Sequence, residues 1–245
     1  MDEVRAPIET VDGLAKLLDH TLTAPELSEE QVHQGCLLAS THGVAAVTVR
    51  PCDVELAVRT VGGGVAVSAV CAFPHGSSNT AVKLYEARDL LRRGAREIEV
   101  VVNSGSLVSR QFRHVENELL QLSRTCREAG ARLKVVLEIG YLAEDHRIIA
   151  CKIVRRVEAD MVVLASGFGP TPPVLDDVRF FAARLRGRPS LKVGAGDWPL
   201  ESCLELYLAG CSRIATTNTA AILAEWKQRL ESQAAESQPA PQPPG

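Results

Sequence analysis

The sequence is poor in aromatics. Phenylalanine, tryptophan and tyrosine make up 4% of its 245 residues, so a core must be built from Val, Leu, Ala and Ile. It also lacks a positive excess: 27 Lys and Arg stand against 30 Asp and Glu, a net charge of -3. Nothing in that balance marks a surface for gripping phosphate backbones, which argues against nucleic-acid partners. No apolar run approaches the ~20 residues of a membrane helix, so no membrane association is expected. The opening stretch, MDEVRAPIET, is acidic and has no apolar segment, so no secretory leader is expected. Also missing is any Cys-x-x-Cys pair among the seven cysteines, and any His-x-His or His-x-x-x-His pair among the six histidines. An odd number of cysteines in apolar segments is the usage of reduced thiols in a cytoplasmic protein. Neither a clustered zinc site nor any other metal or cofactor is expected.

What remains is ordinary globular composition, 46% hydrophobic and 23% charged. The length suits one large α/β barrel or two small domains. From Gln233 the chain reads QAAESQPAPQPPG. Residues 233–245 are therefore expected to form a disordered Pro/Gln-rich tail, solvated rather than docked. Residues 1–232 hold the folded unit. There, short β-rich apolar runs alternate with longer segments of helical spacing. Strands are expected at 17–21, 44–50, 65–72, 97–102, 133–139, 161–165, 191–193 and 213–216. Helices are expected at 29–41, 78–93, 108–129, 144–157, 175–186, 199–209 and 218–231. Ser28 with Gln31 three residues on reads as a capping box, and Gly43, Gly94, Gly130 and Gly210 follow helix ends.

Runs such as IEVVV and VVLA are apolar on both faces, as in parallel strands covered by helices. Eight alternations in this length favour a single-domain (β/α)8 TIM barrel. An open doubly wound sheet would need a Gly-rich phosphate loop after the first strand, and none is present. Gly62-Gly63-Gly64 lies between a helix and a strand, at the wrong end for that role, and reads as a turn.

Charged residues inside these strands are the candidates for chemistry: Asp19, Glu99, Lys134, Glu138 and Lys192. Lys134 and Glu138 share parity and are expected to face the same way. Two readings compete. The charges are satisfied internal ion pairs, or they line a polar barrel mouth that binds a small polar metabolite. Contributions from several different strands favour the second. A buried lysine among carboxylates also suggests lysine-based carbonyl chemistry, which needs the neutral amine.

The segments LLDHTL (17–22), VRPCDV (49–54), CAFPHGSSNTAVKLYEA (71–87) and EIEVVVNSGSL (97–107) resemble the deoxyribose-phosphate aldolase family. So do LKVVLEIGYL (133–142), SGFGP (166–170), LKVGAG (191–196) and AGCSRIATTN (209–218). The resemblance runs in order from residue 14 to about 226. It implies a (β/α)8 barrel and a metal-free, class I lysine-dependent lyase. The family reaction is the reversible cleavage of 2-deoxyribose 5-phosphate to glyceraldehyde 3-phosphate and acetaldehyde. The family forms its Schiff base on a lysine in V-K-T-S-T-G-F-G, and that position is Val163 here. The family's proton-handling aspartate is Glu99. Lys192, Lys134 and Asp19 match family residues.

The resemblance further implies substrate contacts at Thr48, Lys134, Glu138, Gly167, Gly196, Thr217 and Asn218. The phosphate loops depart from the family pattern at Ala195-Gly196 and at 215–218. Asp197-Trp198-Pro199-Leu200 stands where the family often has a basic residue. A valine cannot form an imine, so loss of the family reaction is expected, with binding of a small phosphorylated or carbonyl metabolite retained. The alternative is an active aldolase with Lys192 as the imine-forming lysine and Glu99 as proton relay. A static Lys192–Glu99 ion pair is favoured over that. A third reading uses Glu99 and Glu138 as acid and base of another lyase or isomerase. Thr48 and Cys71 lie in strands near the expected mouth, and the residues themselves read as packing. A homodimer is the expectation from other barrels.

Overall fold

Strand residues alternate between two faces, so a strand that is apolar throughout must have cover on both. The computed structural model describes residues 5–194, 196 and 198–236. In it the eight strands close into a parallel barrel in sequence order. They are β1 (Leu18–Leu22), β2 (Ala46–Val49), β3 (Ala66–Cys71), β4 (Glu97–Val101), β5 (Arg132–Val136), β6 (Met161–Val163), β7 (Ser190–Val193) and β8 (Arg213–Thr216). The sheet closes where Leu18 of β1 pairs with Ile214 of β8.

The helices are α1 (Val11–Ala15), α2 (Glu29–Thr41), α3 (Val54–Thr60), α4 (Thr80–Arg92), α5 (Ser104–Val108), α6 (Phe112–Glu128), α7 (Glu144–Arg156), α8 (Leu175–Leu185), α9 (Leu200–Leu208) and α10 (Thr219–Glu236). Alternate strand residues such as Leu18, Val47, Ile98, Leu133, Val162 and Ile214 face this layer and join the main apolar core. The Ser28–Gln31 capping box opens α2. Gly43, Gly94, Gly130 and Gly210 all take positive φ after their helices.

Several details differ from the sequence reading, and α1 and α3 are additional to the helices expected there. The helix expected over 108–129 begins only at Phe112, as α6; Val108 ends the separate short α5, and Arg110 at φ +59 lies between the two. Strand β5 stops at Val136 because Glu138 turns left-handed, with φ +51. Strand β6 stops at Val163. Helix α10 continues to Glu236, beyond the boundary expected at 232. The rest of the proposed tail, 237–245, lies outside the described residues, as do Ala195 and Asp197. No described helix is long and apolar enough to cross a membrane.

Candidate functional site

The alternation that sends Leu18 and Ile98 outward sends Asp19, Glu97, Glu99, Lys134, Lys192 and Arg213 into the barrel. There they form one network. The Lys192 ammonium donates to Glu99 Oε1 at 2.7 Å and Oε2 at 3.0 Å, and lies 3.0 Å from Asp19 Oδ2. Its third donor reaches Thr48 Oγ1 at 3.5 Å. Lys134 Nζ is 2.7 Å from Asp19 Oδ2 and 2.5 Å from Glu97 Oε2. Arg213 pairs with the second Asp19 oxygen and lies 3.7 Å from Glu97. Three carboxylates thus meet three buried cations, and the half-exposed Arg132 also pairs with Glu97, so none of these charges is buried without a partner. Isolated charges could not be buried at this depth.

The same contacts set the ionisation. Burial pushes the Asp19 carboxyl up, but Lys134, Lys192 and Arg213 outweigh it and hold Asp19 well below the usual carboxylate range. Burial favours a neutral Lys192, but Asp19 and Glu99 outweigh it and raise Lys192 above its ordinary value. Lys192 is therefore an ammonium at neutral pH.

The ion pair expected between Lys192 and Glu99 is present. Glu97 and Arg213 are members that the sequence reading missed. Parity would have found Glu97, which shares the face of Glu99; Arg213 emerges only from its register beside Lys192 in the closed barrel.

A cavity of about 410 Å³ opens above this floor at the C-terminal ends of the strands, where barrels of this class place their sites. Thr48, Glu99, Val163, Gly167, Lys192, Gly196 and Thr217 line it. Val163 is 1% exposed and packs with Val101, Val136 and Phe73, a small cluster separate from the main core. It pairs in register with Lys192.

Asp19 and Lys134 lie beneath the floor and do not reach the cavity. Asn218 does not line it either. Its N–H donates to Thr216 Oγ1 at 2.9 Å, just before α10.

Glu138 departs from its expected place. Its left-handed backbone removes it from the face of Lys134 and turns it to a separate cavity of about 170 Å³, beside His75, Ser104 and Tyr141. Its Oε2 accepts from the Ser166 N–H at 3.0 Å and from the Ser166 hydroxyl. Glu138 thereby holds the loop that carries Gly167 and Phe168. Glu99 and Glu138 face different cavities, so they are not arranged as an acid–base pair.

His20 also lines the main cavity, and the sequence reading passed over it. Its Nδ1 is 3.0 Å from Thr219 Oγ1, and burial lowers its pKa to about 4, with His42 adding to the shift. Cys71 faces the helix layer in contact with Lys83 and Glu86, consistent with a packing role.

No family profile matches the chain. Among curated proteins it is 34% identical over 212 residues to the deoxyribose-phosphate aldolase of Treponema denticola, covering 86% of this chain and 98% of that one. The chain belongs to the deoxyribose-phosphate aldolase family. The Thermococcus kodakarensis aldolase is 32% identical, covering 84% of this chain and 93% of the relative. Among solved structures, one described as an aldolase superposes with a TM-score of 0.83 at 31% identity, covering 94% of this chain and 98% of that one. The aldolase of Aeropyrum pernix, described as a unique tetramer, superposes with a TM-score of 0.81 at 25% identity, covering 90% and 93% of the two chains. The family's barrel is thus present throughout.

Proposed function

We propose that this family member binds a small phosphorylated or carbonyl metabolite in its barrel mouth and does not run imine-based cleavage. The observation that carries this is the pairing of Val163 with an ionised Lys192 on adjacent strands. An imine lysine acts as the electron sink for carbon–carbon cleavage, and it attacks only as the free amine. Val163 has no amine. Lys192 has one, but Asp19 and Glu99 keep it protonated. Positioning and electrostatics alone would have to replace a covalent intermediate.

Retained binding is supported by the cavity itself and by the hydrogen-bonding groups on its floor and rim. The cytoplasm is the compartment we propose, supported by the free cysteines, most of them buried.

A second reading keeps Lys192 as nucleophile and Glu99 as proton relay, since both line the cavity. One experiment separates the two. The protein is incubated with acetaldehyde or 2-deoxyribose 5-phosphate, reduced with borohydride and weighed intact. No specific adduct and no retro-aldol turnover are expected. A stoichiometric adduct mapped to Lys192 establishes the second reading and ends the first.

A further inference from the structure

We propose that the smaller cavity, beside Glu138, binds a small amino alcohol, with Glu138 as the counter-ion of its ammonium group. This site is separate from the barrel mouth and does not depend on the function read there.

The first observation is a missing partner. Burying a carboxylate is costly unless a cation is set against it. Among the described residues six carboxylates are buried: Asp19, Asp53, Glu97, Glu99, Glu118 and Glu138. Asp53 lies 2.6 Å from Arg50 and Glu118 lies 2.7 Å from Lys83, while Asp19, Glu97 and Glu99 share the barrel network. Glu138, 3% exposed, is the exception. No Lys, Arg or His among the described residues makes an ion pair with it. Its Oε2 accepts from the Ser166 N–H and hydroxyl, and its Oε1 has no hydrogen-bond partner.

The second observation is the lining. Pro74, His75, Ser104, Tyr141 and Phe168 complete the cavity with Glu138, and none of them is a Lys or Arg. They come from the segments that follow β3, β4, β5 and β6. Tyr141 and Phe168 are 50% and 44% exposed, so their rings are open to a ligand. Aromatic rings beside a carboxylate suit an organic ammonium, through cation–π attraction and charge-assisted hydrogen bonds. A hard metal ion would need several oxygen ligands. Among the described residues no group of three His, Cys, Asp or Glu is placed to hold one.

The third observation concerns size and the remaining polar groups. A volume of about 170 Å³ holds a molecule of few heavy atoms. The Ser104 and Tyr141 hydroxyls make no hydrogen bond to another described residue, and both suit a ligand hydroxyl close to the ammonium. Gly169 backs onto the carboxylate, where a Cβ would lie 2.2 Å from Oε1. Oε1 is enclosed there, so the ammonium reaches it by a small shift of Gly167-Phe168-Gly169. That segment carries a side chain at one of its three positions, and the Glu138–Ser166 bonds hold its near end.

Fluorine NMR of the full chain carrying 3-fluorotyrosine tests this, in an amine-free buffer at pH 8. The chain has three tyrosines. Tyr141 reports on the cavity, and Tyr85 and Tyr207 serve as controls, assigned by Tyr85→Phe and Tyr207→Phe. Ethanolamine is expected to shift the Tyr141 signal saturably and to leave the other two in place. Ethylene glycol, of the same size without the charge, is expected to bind about tenfold more weakly or worse, and glycolate not at all. Glu138→Gln keeps the shape and the bonds to Ser166 but loses the charge. It is expected to weaken ethanolamine by about tenfold or more, the order of one hydrogen bond to a charged group. Phe168→Leu, at an exposed loop position, is expected to weaken it by about threefold through the lost cation–π attraction.

The absence of a saturable Tyr141 shift overturns the inference. So does ethylene glycol binding within about twofold of ethanolamine, or unchanged ethanolamine binding in Glu138→Gln. Parent positions of the Tyr85 and Tyr207 signals show that a variant is folded. If Glu138→Gln is not, Phe168→Leu decides, and unchanged affinity there overturns the inference as well. A borohydride-trapped adduct at Lys192 bears on the barrel mouth alone.

Discussion

Val163 and Lys192 are neighbours in register, yet one is apolar and the other is held in an ionic network. Val163→Lys would place an ammonium among Val101, Val136 and Phe73, beside an existing cation. Burial and the like charge both depress its pKa, so it would attack carbonyls where Lys192 does not. The variant is expected to give a borohydride-trapped adduct with acetaldehyde that maps to residue 163. It should also be less stable than the parent in urea, because the site was built for a hydrocarbon. Lys192→Met removes one member of a fully buried set and leaves Glu99 short of its partner. Loss of about 3–5 kcal/mol is expected from the urea midpoint, the cost typical of breaking a buried pair from one side. Adding Glu99→Leu to that variant should recover part of the loss, since the orphaned charge goes with it.

At the scale of elements, the strands were legible as short apolar runs between helical segments, because both of their faces are buried. Outward residues pack under helices, and inward ones meet across the barrel. Glu138 was not legible. Parity extrapolated past Val136 placed it with Lys134, but the chain leaves the extended region there, and periodicity ends with the strand. The junction of β6 and β7 is tight for another reason. A Cβ added at Gly194 would lie 1.9 Å from the carbonyl oxygen of Ala165. Backbone cannot yield as a side chain would. Gly194→Ala is expected to cost on the order of 2–3 kcal/mol by forcing the strand ends apart. Gly63→Ala serves as its control, because a Cβ there meets nothing within 4 Å. Thermal melts of the two variants should diverge accordingly.

At the scale of the whole molecule, buried titratable groups set the pH range of stability. His20 has its pKa lowered from 6.5 to about 4 by burial, with His42 adding to the shift. The unfolded chain therefore takes up this proton first as pH falls. His20 contributes stability that is fully present above about 6.5 and is lost as pH falls through 4, on the order of 3 kcal/mol. Denaturation midpoints measured between pH 7 and 4 should decline along this course, and His20→Asn should flatten the decline. Asp19, held below the usual carboxylate range, adds stability that is lost only in stronger acid. Lys192, raised above its ordinary 10.5, contributes below that value and loses its contribution as pH rises through its folded pKa.

The sequence alone determined the barrel, because eight short β-rich runs alternating with helical segments leave few other ways to bury both faces of the strands. It also determined the family likeness and the valine at position 163, since both are read from residue identities in order. Only the tertiary structure decided the state of Lys192. Its partners Asp19, Glu99 and Thr48 come from three other strands, and their distances exist only once the barrel closes. The same holds for the second cavity that receives Glu138, and for the absence of a cationic partner for Glu138 among the described residues. Charge in a folded interior depends on three-dimensional pairing, and a linear chain does not record which side chains will meet.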